Sequence, residues 1–207
     1  MSRPSAPATR RQAEKNQRRQ DLLEAAGVLF GARGFDAVSL DDVGSEVGVT
    51  GQAIYRHFKG KQDLLGQLLL GVSERLLAGA QDIRASVPEV AARARLLIEF
   101  QVEFALGNPE VIRVQDQDLA RLAEADRRLV RRMQREYLDH WSAALAALHP
   151  EDSRDELHTR VHGVIGLINS TSHSLKSRYG PGVDPRRRAD SQRALIKMAQ
   201  AAVSARL

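Results

Sequence analysis

The sequence predicts an all-α protein, a three-helix head carried on a larger helical body. Three observations predict it. Apolar residues recur at helical spacing in one segment after another, and no stretch alternates apolar and polar residues as a half-buried strand does. Ala and Leu dominate an apolar set that makes up 43% of the 207 residues, whereas aromatic residues contribute only 4%, a balance that favours helices over sheets. Helix start and stop residues, among them Ser39, Thr50 and Asp184 as caps and Gly34 and Gly48 as terminators, stand at the ends of the periodic segments. The chain has no cysteine, which excludes a disulfide framework and thiolate metal sites. No apolar run reaches the length of a membrane span and no signal-peptide core precedes the first helix, so a soluble cytoplasmic protein is expected.

Residues 1–14 hold Pro4 and Pro7 among small residues and show no apolar periodicity; they are expected to form a disordered basic arm. The net charge of +5 is concentrated there. Residues 1–20 carry six basic side chains against one acid, which alone gives +5, while residues 21–65 are net −3 and residues 66–207 net +3. A basic arm suits phosphate or minor-groove contact beside a DNA reader, and a solubilising tail equally. The first helix is predicted from Lys15 to Arg33, with Leu22, Ala26, Leu29 and Phe30 as its buried stripe and Gly34 as its stop. Phe35 then plugs the top of the head.

The stretch Ser39–Lys61 reads as two short helices around a tight turn. Ser39 is a good N-cap with Asp42 three residues on. Leu40, Val43 and Val47 fall on one face. Gly48 supplies the left-handed residue that a helix end needs, because it has no Cβ to clash. Thr50 caps a second helix, predicted from Gly51 to Phe58, with Ala53, Ile54 and Phe58 turned inward. Two helices crossing steeply at a glycine-containing turn make a helix-turn-helix, whose second helix fits a DNA major groove. These residues carry a resemblance. Gly48, Val49, Thr50, Ala53, Ile54, Tyr55, His57, Phe58, Gly60, Lys61 and Leu64 stand in register with the pattern of tetracycline-repressor (TetR) family regulators, and Arg33-Gly34-Phe35 and Val38-Ser39-Leu40 fit upstream. The match spans about residues 18–66. It departs at Gly51-Gln52, where many members have a basic residue followed by glycine.

A connector helix is predicted from Lys61 to about Ala85, with Leu64, Leu65, Leu68, Leu69, Val72, Leu76 and Leu77 on a face wide enough to touch both head and body. Pro88 opens a helix that ends near Asn108-Pro109, striped by Leu96, Leu97, Phe100 and Phe104. A short helix over about Glu110–Leu119 follows. A long one runs from Glu124 to Leu148 with Leu129, Met133, Tyr137, Trp141, Leu145 and Leu148 on one face, and His149-Pro150 stops it. Another spans about Ser153–Ser177. Asp184-Pro185 is an N-cap with a first-turn proline, and the last helix runs from there almost to the C-terminus. The boundaries that follow are an arm at 1–14, a helix-turn-helix domain at 15–62 and a body at 63–207.

The resemblance implies three helices in the head, six in the body and a homodimer through the last two helices. Gly163 and Gly166 among Val161, Val164, Ile165 and Ile168, with Leu195, Met198, Ala199, Ala202 and Val203 on the final helix, suit that pairing, and small reader heads generally need two half-sites. The expected DNA contacts are Ser39, Thr50, Gly51, Gln52, Tyr55, Arg56, His57 and Lys61. Gln52 suits adenine and Arg56 guanine in bidentate pairing; Thr50, Tyr55, His57 and Lys61 suit phosphates; Gly51 lets the helix end approach the duplex. The resemblance also implies a body pocket for a small effector. Its expected lining is Phe100, Phe104, Met133, Tyr137, Trp141, Leu145, Ile165 and Ile168, with Gln101, Asn169 and His173 as polar anchors. That lining points to a largely apolar effector, and the resemblance to lipid-metabolism regulators points to an acyl-CoA or other lipid-like molecule. The overall expectation is a repressor released from a palindromic operator; the alternative is an architectural DNA-binding protein of the same fold without an effector.

His158 and His162 are spaced like metal ligands, but no Glu stands between them in the zincin arrangement, so a helix surface is the better reading and neither metal nor cofactor is expected. Arg127, Arg128, Arg131, Arg132 and Arg135 share their helix with Glu124, Asp126, Glu136 and Asp139 and read as a salt-bridged solvent face. No nucleophile elbow, phosphate-cradling glycine loop or paired-carboxylate motif points to an enzyme.

Overall fold

The computed structural model describes residues 10–179 and 184–205. Among them are nine α-helices and no strand: α1 (Arg10–Arg33), α2 (Leu40–Glu46), α3 (Gly51–Ile54), α4 (Lys61–Ser86), α5 (Val90–Gly107), α6 (Pro109–Asp118), α7 (Glu124–Ala146), α8 (Arg154–Tyr179) and α9 (Pro185–Ser204), with a 3-10 turn at Leu119–Arg121. The all-α expectation holds.

Two differences from the sequence reading have local causes. Helix α1 begins at Arg10, so residues 10–14 of the expected arm are helical; the Arg10 to Glu14 ion pair (3.0 Å) and the Gln12 to Asn16 hydrogen bond (2.9 Å) each span one turn and support it. Residues 1–9 lie outside the described residues. Helix α3 ends at Ile54 rather than Phe58. Beyond it the chain tightens, with Arg56 N–H donating to Ala53 O (3.2 Å) and His57 N–H to Ile54 O (2.8 Å), three-residue bonds of the kind that close helix ends.

The head closes around Leu22, Ala26, Phe30, Val38, Val43, Ile54 and Phe58, each at most 2% exposed. This core extends along α4 through Leu64, Leu65, Leu68 and Leu69 and takes in Val114, Leu122 and Val130 from α6, the following loop and α7. Further along α4, Leu76 and Ala80 belong to a second core with Trp141, Leu145, Ile168 and Leu195. Helix α4 is therefore shared, as its wide apolar face predicts.

The seam between head and body is tight. Helix α1 crosses α6 at Gly27 and Gly31. A Cβ on Gly31 would lie 2.5 Å from Glu110 Cβ and 2.6 Å from Glu110 O, and one on Gly27 3.0 Å from Val111 Cγ2. Arg113 Nη1 donates to Gly31 O at 3.1 Å across the same crossing. Nearby, Arg121 pairs with Asp36 at 2.7 Å and with Asp118 at 2.9 Å. Phe35, expected to plug the top of the head, lies half-buried in this seam, with the Lys61 ammonium 4.4 Å and the Arg121 guanidinium 5.6 Å from its ring centre.

Candidate nucleic-acid interface

Ser39 takes extended backbone and caps α2. The Asp42 N–H donates to its hydroxyl (3.0 Å), and the Ser39 N–H donates back to the Asp42 carboxylate (2.7 Å), the reciprocal pairing of a capping box. Those Ser39 hydrogen bonds, and then Arg33, hold the Asp42 carboxyl below its ordinary pKa. Gly48 has φ +70, so the turn between α2 and α3 uses the left-handed region that glycine reaches without strain. Thr50 caps α3 by accepting from the Ala53 N–H (3.3 Å).

From this frame Gln52, Tyr55 and Arg56 project to solvent, Tyr55 with 61% of its surface exposed. Thr50 is also exposed and His57 is half-buried. Helix α1 brings further cations beside them. Arg18 donates to Val47 O (3.0 Å), and Arg19 reaches Gln67 (2.9 Å) while stacking 4.8 Å from the Phe58 ring centre. Partial burial, then the charges of Lys15, Arg19, Arg18 and Arg56, push the His57 pKa below its ordinary value. Anions are favoured over this surface.

One expected contact is corrected. Gly51 is buried, not presented to the duplex. Its N–H donates to Asp41 Oδ1 (3.2 Å), and a Cβ there would fall 2.1 Å from that oxygen. A side chain at position 51 would have to displace the Asp41 carboxylate from the meeting of α2 and α3. Asp41 is thus a helix-start acceptor that sequence reasoning misses; its position ten residues before Gly51 gives no local signal. Lys61 stands at the start of α4 with its ammonium 3.3 Å from Asp36 O, turned toward the seam.

In the body, Gln101, Phe104, Met133, Tyr137 and Trp141 are buried, while Phe100, Ile165 and Asn169 are half-buried. Tyr137 Oη donates to Gln101 Oε1 (2.7 Å), and Gln101 Nε2 donates to Asn169 Oδ1 (2.8 Å). Trp141 stands edge-on to Tyr137, ring centres 6.4 Å apart, and its buried Nε1–H finds no aligned acceptor. Burial drives the Tyr137 pKa far upward, a push that the Trp141 N–H only partly offsets. Phe100 packs over Gly79, where a Cβ would come within 2.3 Å of its ring. The His173 side chain lies outside the described residues. A small cavity of about 160 Å³ opens between α4, α5 and α7 instead, with Ala80, Ile83, Leu97 and Ala144 at its floor and Arg84 and His140 among its walls. Burial, then Arg84, lowers the His140 pKa.

Helix-turn-helix geometry, a solvent-facing polar set on and just beyond its second helix and a cation-rich flank define a DNA-binding head on a helical body. Residues 22–68 match the family described as bacterial regulatory proteins, tetR family. Over those residues the chain is similar to that family. It is 29% identical over 112 residues to the HTH-type transcriptional repressor KstR2 of Mycobacterium tuberculosis, an overlap of 54% of this chain and 56% of that one. It is also 29% identical over 103 residues to the nucleoid occlusion factor SlmA of Vibrio vulnificus, an overlap of 49% and 53%. The chain spans about half the length of the curated relatives it matches. The crystal structure of a TetR-family transcriptional regulator from Bordetella parapertussis superposes with TM-score 0.74 at 19% identity, over 87% of this chain and 93% of that one; at that identity the likeness is one of fold. Among the described residues no helix is long and apolar enough to cross a membrane.

Proposed function

We propose that this chain is a homodimeric transcriptional repressor that leaves a palindromic operator when its body binds a small, largely apolar effector. The observation that carries the reading is the exposed Gln52, Tyr55 and Arg56 set on a doubly capped helix-turn-helix beside Lys15, Arg18 and Arg19. Gln52 and Arg56 read bases, and Thr50, Tyr55 and His57 hold phosphates. Ser39 and Lys61 contribute at the helix starts, with Lys61 reaching a phosphate only by leaving Asp36. The test is DNA binding to the promoter region beside the protein's own gene, with Gln52→Ala and Arg56→Ala as variants. Each variant is expected to lose about 1–3 kcal/mol of discrimination at its base. Both variants keeping the wild type's full preference for operator over scrambled duplex would remove base reading from these residues.

Dimerisation through α8 and α9 draws on what the protomer core leaves uncovered. Val161, Val164, Ile168, Leu195, Ala199 and Val203 are consumed inside the protomer, whereas Met198 is 50% exposed and Gly163 and Gly166 face open space. The effector enters through the cavity between α4, α5 and α7. At about 160 Å³ it is smaller than the roughly 300–1,000 Å³ of typical ligand sites, so binding must open the core toward Phe100, Phe104, Met133 and Ile165, with Trp141 Nε1–H and the Tyr137–Gln101–Asn169 chain as polar anchors. An apolar floor beneath Arg84 and His140 suits an amphipathic anion of the lipid or acyl-CoA class. Release of DNA by an acyl-CoA but not by a neutral steroid would support that class. A second reading, an architectural DNA-binding protein without effector, is favoured by the similarity to SlmA; DNA binding that neither acyl-CoAs nor steroids alter would support it.

A further inference from the structure

The seam, the arginine face of α7 and the cluster His149, Glu151 and Asp152 each have chemistry of their own, but several of their groups are already engaged. His149 Nε2 meets Val203 O at 2.6 Å, Asp152 is held by Arg160 at 2.6 Å, and Arg128 and Arg132 pair with Glu124 and Glu136. The two histidines of α8 differ. The Nε2 atoms of His158 and His162 point at one another 3.1 Å apart, their rings 4.3 Å between centres and both side chains exposed.

We propose that His158 and His162 chelate one divalent transition-metal ion, of the zinc, nickel or copper class, through these two nitrogens. The geometry supports it directly. Two nitrogens 3.1 Å apart, each bound at about 2.0–2.1 Å, subtend about 100° at the ion, between the octahedral and tetrahedral values. Residues four apart sit one above the other on a helix face, so closing the chelate needs no backbone movement. Imidazole nitrogens select zinc, nickel and copper over magnesium and calcium. Without metal, the pair is held by a single N–H···N hydrogen bond, in which one ring donates and the other accepts. With metal, both Nε2 lone pairs turn to the ion and each ring keeps its proton on Nδ1, so a tautomer shift of one ring accompanies binding. Gly163 and Gly166 have no atom within 4 Å of where a Cβ would lie, leaving room for the waters, or for the matching pair of a second copy, that complete the coordination shell.

Calorimetry of the untagged full chain with Ni²⁺, and the visible spectrum of its Co²⁺ form, test this. Saturable binding is expected, with His158→Ala and His162→Ala each weakening it at least about tenfold and changing the cobalt spectrum. One ion per chain and one ion per two chains both fit, the latter placing two pairs face to face. Because both side chains are exposed, the variants should melt with the wild type, and any that does not is replaced by His→Gln at the same position. No saturable uptake by the wild type, or uptake unchanged in the double variant, would overturn the site.

Discussion

Head and body are packed by the same hydrophobic effect but differ in where they keep their polar atoms. The head core is aliphatic side chains and phenylalanine, its capping groups Ser39, Asp41 and Thr50 work at helix ends, and only single atoms of Arg19 and His57 are buried at its edge. The body hides Gln101, His149 and Arg160, each under 10% exposed, together with the Tyr137 hydroxyl and the Trp141 indole N–H. Burying a polar group costs less when it is paired, and pairing makes packing depend on partners that can be exchanged. A reader must present one shape to DNA. A sensor must have a second arrangement within reach. The difference in core chemistry fits that division of labour.

The largest effect is expected where the body's polar packing is densest. Arg160, with a side chain 2% exposed, pairs with Asp152 at 2.6 Å and donates to Ala205 O at 2.6 Å and to Ala202 O and Val203 O at 3.3 Å. It closes the end of α9, where helix carbonyls lack partners and a cation is favoured. Arg160→Ala strands Asp152 in the interior and should cost about 3–5 kcal/mol in denaturant unfolding, with α9 amides exchanging first. Arg160→Met with Asp152→Leu should recover part of this, since the stranded charge goes but the carbonyls stay open. Full recovery would mean that the carbonyl contacts contribute nothing.

Gly31→Ala comes next and acts on the seam rather than on either core. With Glu110 O 2.6 Å from the new Cβ, α1 and α6 must part, at about 1–3 kcal/mol of overpacking. Operator affinity should fall with stability, because α1 also carries Arg18 and Arg19. A variant as stable as the wild type would mean that the helices separate freely and that the seam is not a rigid link.

The contrast also explains what is legible in the sequence. Caps and left-handed glycines are local, so Ser39, Gly48, Thr50 and Asp184 announce themselves by residue type and position, and the order of nine helices follows from periodicity. Close approaches are not local. Gly31 against Glu110, Gly51 against Asp41 and Gly79 against Phe100 join residues whose spacing carries no pattern, which is why the sequence points Gly51 at DNA when it faces α2. The Arg160–Asp152 pair escapes sequence reasoning for a related reason: an arginine on a polar-looking helix reads as solvent-facing until the partner that buries it is known. For the body pocket, sequence identifies which residues are apolar but not where their packing leaves space, and the cavity lies beside Leu97 and Ala144 rather than at Phe100.

A smaller change separates local from tertiary support within the head. Thr50→Ala removes the acceptor for the Ala53 N–H and should cost about 1 kcal/mol, seen as faster amide exchange at residues 51–54 with the rest of the head protected as before. Loss of protection across α1 and α2 as well would show that the cap holds the whole head rather than one short helix.

The smallest expected effect is the pH dependence of DNA binding through His57. In the free protein its pKa is held below about 6.5 by partial burial and by Lys15, Arg19, Arg18 and Arg56, so the ring is neutral near pH 7. A phosphate set among those cations favours the charged ring, and binding then takes up a proton. Operator affinity should rise as pH falls from about 7.5 to 5.5, by less than the tenfold per unit that one full proton would give. Stability runs the other way. Because the folded pKa is depressed, the unfolded chain binds more protons below about 6.5 and the head weakens as pH falls through that range, so affinity must be measured far below the melting temperature. His57→Gln keeps a hydrogen-bonding side chain but cannot titrate, and should flatten the affinity profile. The same slope in that variant would take His57 out of phosphate contact.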